Sequence, residues 1–391
     1  MVTSTLAEYQ VRILDIGQAV IHEELNLGML VELPLADCIE DLARRLEEWA
    51  QGAELILRIA PIDLADYQEW VAQQGRERYI VTLLTNDVTA QQLALVTRAL
   101  NRAGLTIDGI RRLSGRAAAG TAGIEETRTS VEFSLRGSMR DAQAVKAELL
   151  ELGGDLSFDF SVQEDSVYRR NRRLVVFDMD STLIKAEVID ELARLAGVGA
   201  KVSAITERAM AGELDFEESF HERVALLKGL SVTALNRVAD SVQVMEGAHR
   251  LISSLRHFGY KTAIVSGGIR QIGEHLKDAL GIDYLYANEL EVKNGVITGE
   301  VKGTVIDAQG KVERLTEICR KEDISLQQAI AIGDGANDLP MLNAAGLGVA
   351  FHAKPAVKAS ASHAISNFGL DSVLYLMGFS DRDIEQTINS E

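Results

Sequence analysis

The chain has 391 residues, 47% of them hydrophobic, and a formal net charge of -18. That length exceeds one ordinary core and calls for two or three domains, while the negative charge repels nucleic acid and anionic membranes, so an anionic ligand needs a local set of positive groups. Cys38 and Cys319 lie far apart without metal-ligand spacing, which excludes a disulfide framework or zinc site; with no signal-peptide plan and no run of about 18 apolar residues, the expected setting is cytoplasmic, with no membrane and no nucleic acid as partner.

Short β-rich runs alternate with amphipathic helical ones over the first 165 residues. Residues 11–16 and 28–33 read as strands, 36–50 as a helix and 54–59 as a strand. A second set follows: strand 78–84, helix 89–103 with Leu93, Val96 and Leu100 on one face, strands 105–113 and 130–135 with a Gly/Ala-rich loop at 115–126, helix 141–152 ended by Gly153-Gly154, and strand 156–162. Its order is βαββαβ, and VRILDI from Val11 lines up with LTIDGI from Leu105, an internal duplication. In that register Met1 falls opposite Leu95, so the first copy lacks its opening strand and half its first helix; either the start lies upstream or this copy is a remnant. Two such α+β units resemble ACT domains, ferredoxin-like modules of metabolic enzymes. The resemblance implies an amino-acid effector, and the expected assembly is a homodimer.

Arg169, Arg170, Arg172 and Arg173 read as a solvated linker. From Leu174 the pattern becomes α/β, with strand-like runs at 174–177, 262–265, 329–332 and 347–350 between helical stretches, the sign of a Rossmann-like parallel sheet. Lys293-Asn294-Gly295-Val296 marks a hairpin with a type I′ turn. The mostly helical segment 187–244 is far longer than a crossover needs and is expected to form a cap. The expected domains are 1–75 and 76–165, both ACT-like, and 166–391.

Loops at the carboxyl ends of parallel strands share one rim. The first strand delivers Asp178, Asp180, Ser181 and Thr182 to it, the second Ser266, Gly267 and Gly268, and the third Asp334, Asn337 and Asp338, while Lys311 opens an intervening helix. Two carboxylates one residue apart repel each other unless a cation neutralises them, and Mg²⁺, with few protein oxygens and several waters, suits Asp178 and Asp334. A carboxylate can attack phosphorus directly, with a neighbour alternating as acid and base; Asp178 and Asp180 fit those two duties. Lys311, the Ser266 hydroxyl and the Gly267 backbone would hold the phosphoryl charge.

FDMDSTL, VSGG, Lys311 and GDGANDLPML together resemble the four signatures of the haloacid dehalogenase-like phosphohydrolases. This likeness adds Asp180 and Asp338 to the metal site and Asn337 to the substrate site. The cap sequence is similar to that of phosphoserine phosphatases. The resemblance implies that Glu187 receives the substrate amino group, that Arg223 clamps its carboxylate, and that Met210 and Phe216 close over it. The expected activity is hydrolysis of O-phospho-L-serine through a phosphoaspartyl intermediate on Asp178; the rivals are a phosphatase for another small metabolite, transfer to a second alcohol, and a chiefly regulatory binding module.

Overall fold

Residues 12–32 form an antiparallel pair, β1 (Arg12–Ile21) and β2 (Glu24–Glu32), with Arg12 opposite Glu32. Helices α1 (Val2–Glu8) and α2 (Ile39–Gly52) accompany it, and Leu6, Leu42 and Leu46 pack with Met29 and Val31. The computed structural model describes residues 2–34, 38–116, 128–361 and 363–388, without the side chains of residues 210 and 388. It resolves into two compact units, Met1–Gln74 and Gly75–Glu391.

The strand expected at 54–59 does not form: residues 55–60 have no regular structure, and Ile56 is fully exposed. In the second copy the matching strand pairs with that copy's opening strand, whose counterpart is absent from the first copy among the described residues, so 54–59 has no ladder to join. Instead the chain runs on to α3 (Leu64–Gln73), capped by the Asp63 carboxylate, which accepts from the Asp66 N–H at 2.8 Å.

The second copy has its full βαββαβ order: β3 (Arg78–Thr85), α4 (Ala90–Arg102), β4 (Leu105–Arg112), β5 (Thr129–Gly137), α5 (Ala142–Leu156) and β6 (Asp159–Glu164). A capping box between Thr89 and Gln92 starts α4, and Val96, Leu100, Val145 and Leu149 bury one face of the two helices against Val81, Leu83, Phe133 and Leu135. Contrary to expectation, α5 runs through Gly153-Gly154 and stops at Ser157, which is left-handed. Gly153 is needed within the helix because a Cβ there would come within 2.6 Å of the Phe158 carbonyl oxygen. The expected loop at 115–126 lies mostly outside the described residues.

The α/β part contains β7 (Leu174–Phe177), a four-helix cap of α6 (Val188–Leu195), α7 (Gly199–Met210), α8 (Phe216–Ala225) and α9 (Val232–Ser241), then α10 (Ala248–His257), β8 (Lys261–Ile269) and α11 (Arg270–Leu280). The hairpin β9 (Tyr284–Lys293) and β10 (Val296–Lys302) turns through Asn294 and Gly295, both at positive φ, as a type I′ turn requires. After it come α12 (Ala308–Lys321), β11 (Ala329–Gly333), α13 (Leu339–Ala344), β12 (Leu347–Phe351) and a short strand that the sequence reading did not anticipate, β13 (His363–Ile365). The order is β10-β9-β8-β7-β11-β12-β13, parallel from β9 to β13. Leu174 and Val176 pack on one side of this sheet and Val175 and Phe177 on the other, all fully buried, so β7 reads as an unbroken apolar run.

One antiparallel pairing, Ala364 with Phe160, continues this sheet into β6-β3-β5-β4, giving eleven strands. The arginine run lies at this junction and is not a simple solvated linker: Arg169 and Arg172 are buried, Arg169 paired with Glu132 at 2.8 Å and Arg172 donating to Gln163 Oε1 at 3.1 Å. Burial, and then the neighbouring Arg169, lowers the Arg172 pKa to about 10. Across the same junction Arg128 holds Asp371 through two hydrogen bonds of 2.7 and 2.8 Å.

Candidate active site

The exits of β7, β8 and β11 meet the cap around one cavity of about 170 Å³, lined by Asp178, Asp180, Glu187, Phe216, Arg223, Ser266, Gly267, Asp334 and Asn337. Nine of the twelve residues given a catalytic, substrate or metal role in the sequence thus share one space. Lys311 and Asp338 lie just behind it, both fully buried. The twelfth, Met210, ends α7, and its side chain lies outside the described residues.

Asp178 follows the last residue of β7 and is fixed by its N–H, which donates to the Ile332 carbonyl at 2.9 Å. Lys311 Nζ reaches Asp178 Oδ1 at 2.7 Å and Asp338 Oδ1 at 2.6 Å. Burial works against the lysine's charge, but the two carboxylates outweigh it and raise its pKa, so it stays an ammonium. The other Asp338 oxygen accepts from the Gly335 N–H at 2.9 Å, which fits Asp338 to anchoring both the lysine and the loop. Gly333 leaves room for that carboxylate, since a Cβ there would crowd Asp338 Cβ at 2.7 Å.

Carboxylate oxygens of Asp178, Asp334 and Asp338 all lie within 4.8 Å of one another. Burial, with the charge of Asp338, pushes the Asp178 carboxyl up to about 6 despite Lys311. Burial, Asp178 and Asp338 push Asp334 to about 7, against a 3.0 Å hydrogen bond from the Thr182 hydroxyl. Three crowded acids served by one ammonium leave a demand for positive charge, and oxygen donors suit a hard divalent cation.

The Asp180 carboxylate stands outside that trio. Its Oδ1 accepts from the Val188 N–H at 3.0 Å, at the start of α6, and its Oδ2 lies where a Cβ on Gly268 would sit. Burial, followed by the charges of Glu187 and Asp178, raises its pKa well above the usual carboxylate range. Asp180 is therefore a carboxyl inclined to keep its proton.

In the cap, Glu187 precedes α6 and receives the Ser181 hydroxyl at 2.8 Å. Arg223 Nε donates to the Ser219 carbonyl at 3.2 Å, orienting the guanidinium at the cavity wall. Burial lowers its pKa, with Asp190 and Glu187 opposing. Phe216 rests against the rim of the sheet: a Cβ on Gly267 would fall 2.6 Å from Phe216 Cζ. Sequence reasoning missed Phe220, which stacks on Phe216 with ring centroids 6.1 Å apart and also lines the cavity; the four-residue helical spacing was the available signal. It also missed Val188, Ile189 and Ile269 in the wall, which carry no chemical signal in sequence.

Residues 175–343 match the model of the haloacid dehalogenase-like hydrolases and residues 1–60 that of the ACT domain. The chain is 39% identical over 381 residues to a phosphoserine phosphatase of Streptomyces coelicolor, covering 97% of this chain and 89% of that one. Among solved structures it is similar to the unliganded probable phosphoserine phosphatase of Vibrio cholerae, at 33% identity and TM-score 0.60, covering 82% of this chain and 90% of that one. It is also similar to a phospho-aspartyl intermediate analogue of phosphoserine phosphatase, at 43% identity and TM-score 0.50, covering 53% and 99%. With relatives matched at this identity along nearly their whole length, the chain belongs to the phosphoserine phosphatase family of haloacid dehalogenase-like hydrolases.

Proposed function

We propose that this chain hydrolyses O-phospho-L-serine to L-serine and phosphate through a phosphoaspartyl intermediate on Asp178, the last step of serine biosynthesis. The observation that carries the reading is a single cavity with Asp178 and Asp180 on the sheet side and Glu187 and Arg223 on the cap side. A zwitterionic amino acid needs one anion for its ammonium and one planar cation for its carboxylate, and that cap pair supplies both.

Asp178 attacks phosphorus through Oδ2, the oxygen not held by Lys311, and Asp180 gives its proton to the departing seryl oxygen. The Asp180 carboxylate then takes a proton from the water that attacks the acyl phosphate, returning both groups to their starting states. Lys311, Ser266, the Gly267 backbone and Asn337 hold the phosphoryl oxygens. Asp178 and Asp334 would hold Mg²⁺, with Asp338 contributing to the site, and the ion when bound would neutralise charge on the transferring phosphoryl group; Asp180, expected among the ligands, has its carboxylate outside that trio and serves as acid and base. Phe216 and Phe220 exclude water on the cap side.

The modules are read as 1–75 and 76–165, both ACT-like, and 166–391, the phosphatase with its cap. The ACT match supports an amino-acid effector there, and a homodimer in the cytoplasm completes the reading. No helix among the described residues is long and apolar enough to cross a membrane. Steady-state kinetics with Mg²⁺ on phosphoserine, phosphothreonine, phosphoglycolate and p-nitrophenyl phosphate test the substrate. A clear preference for phosphoserine is expected; equal turnover of all four contradicts the role of the cap pair.

A further inference from the structure

We propose that the Ser181 hydroxyl is a positioning group for Glu187 and thereby sets the preference for substrates that carry an α-ammonium group. This rests on the phosphoserine reading and adds a residue to it. Three observations converge on Ser181. Its hydroxyl donates to Glu187 Oε1 at 2.8 Å. Glu187 is exposed and begins α6 without a side-chain capping bond, so among the described residues Ser181 is the hydrogen-bond partner of its carboxylate. A long side chain held at one point in solvent keeps a fixed pose only through that point, and without it pays rotamer entropy each time it meets a ligand.

The third observation is the Ser181 backbone. Its φ is 56°, a left-handed conformation uncommon for a residue with a Cβ. The surrounding turn over-determines it. The Ser181 N–H donates to the Ala186 carbonyl at 3.3 Å, the Leu183 and Ile184 N–H groups to the Met179 carbonyl at 2.9 and 3.1 Å, and the Lys185 N–H to the Gln243 carbonyl at 2.9 Å. Glycine would occupy such a position with less strain. A serine there gives up backbone ease, and what it supplies in return is the hydroxyl on Glu187, a few residues along the chain and across the turn.

Ser181→Gly is therefore an informative variant, since it suits the backbone and removes the hydroxyl together with its Cβ. The probes are phosphoserine and its desamino analogue, which keeps the phosphate and carboxylate. The expected result is a rise of roughly five- to tenfold in KM for phosphoserine, with kcat and KM for the desamino analogue unchanged. Ser181→Ala, which retains a Cβ, should show the same split. In a Glu187→Ala background the further Ser181→Gly change should cost nothing more, because its target is gone. Equal losses on both substrates, no loss on either, or additive losses in the double variant would overturn the role of Ser181. If Glu187→Ala itself leaves the ratio of the two substrates untouched, recognition of the amino group by Glu187 falls as well, and the failure lies in the phosphoserine reading.

Discussion

Lys311 is fully buried, with its ammonium 2.7 Å from Asp178 and 2.6 Å from Asp338. Replacing it with methionine keeps most of the volume and removes the one positive charge between two buried carboxylates. Breaking a buried pair by deleting one partner costs about 3–5 kcal/mol, because the remaining charge keeps its desolvation cost. In a domain of this size each kcal/mol moves Tm by about 2–4 °C, so Lys311→Met should melt roughly 10 °C below the parent. Thermal unfolding in chelator at pH 7.5 reads this directly. Lys311 holds the Asp178 pKa down, so in the variant Asp178 takes up a proton at higher pH, and the gap to the parent should narrow near pH 5. Saturating divalent cation should recover part of the loss, and activity should fall by about 10²–10³-fold, the usual cost of one charge-stabilising donor. A variant that melts with the parent at pH 7.5 in chelator would refute the reasoning.

Three other outcomes follow from the same geometry. The Asp334 and Asp178 carboxyls, raised to about 7 and about 6, bind more protons folded than unfolded above about pH 4, so their contribution to metal-free stability falls as pH rises from there through 7. Divalent-cation binding near pH 6 should accordingly release protons, seen as a buffer-dependent heat in calorimetry; a buffer-independent heat would contradict it. Gly267→Ala should raise KM for phosphoserine and lower kcat, because the new methyl meets Phe216 at 2.6 Å and holds the cap off the rim; adding Phe216→Leu should restore much of the loss, and kinetics without such rescue would count against the contact. Arg128→Met should destabilise the Gly75–Glu391 unit by about 1.5–3 kcal/mol, because Asp371 loses its two-bond partner and keeps Arg250 at 3.2 Å, measured by denaturant unfolding, and an unchanged midpoint would show that the pair contributes nothing.

Much of the candidate site was legible because its parts are local. An apolar strand buried on both faces ends in Asp178, and Asn294-Gly295 can turn a hairpin in few ways. What escaped depends on contacts from distant segments. Residues 54–59 have strand composition yet stay unpaired, since strand formation requires a neighbour that composition does not reveal. Gly153-Gly154 looked like a helix end and is instead a place where Phe158 comes close. Arg169 and Arg172 resembled a solvated run until Glu132 and Gln163, on strands of the second module, met them. Within the site the residue types were readable but their pairings were not: the Asp180 carboxylate turns to the start of α6, Asp338 binds Lys311, and Ser181 reaches Glu187.

The most direct test of the account is to locate the phosphoryl group on the enzyme. Acid-quenched reactions with ³²P-labelled phosphoserine, followed by peptide mapping, should place the label on Asp178, and Asp178→Asn should yield neither labelled protein nor serine. Label on another residue, or turnover persisting in Asp178→Asn, would contradict the mechanism.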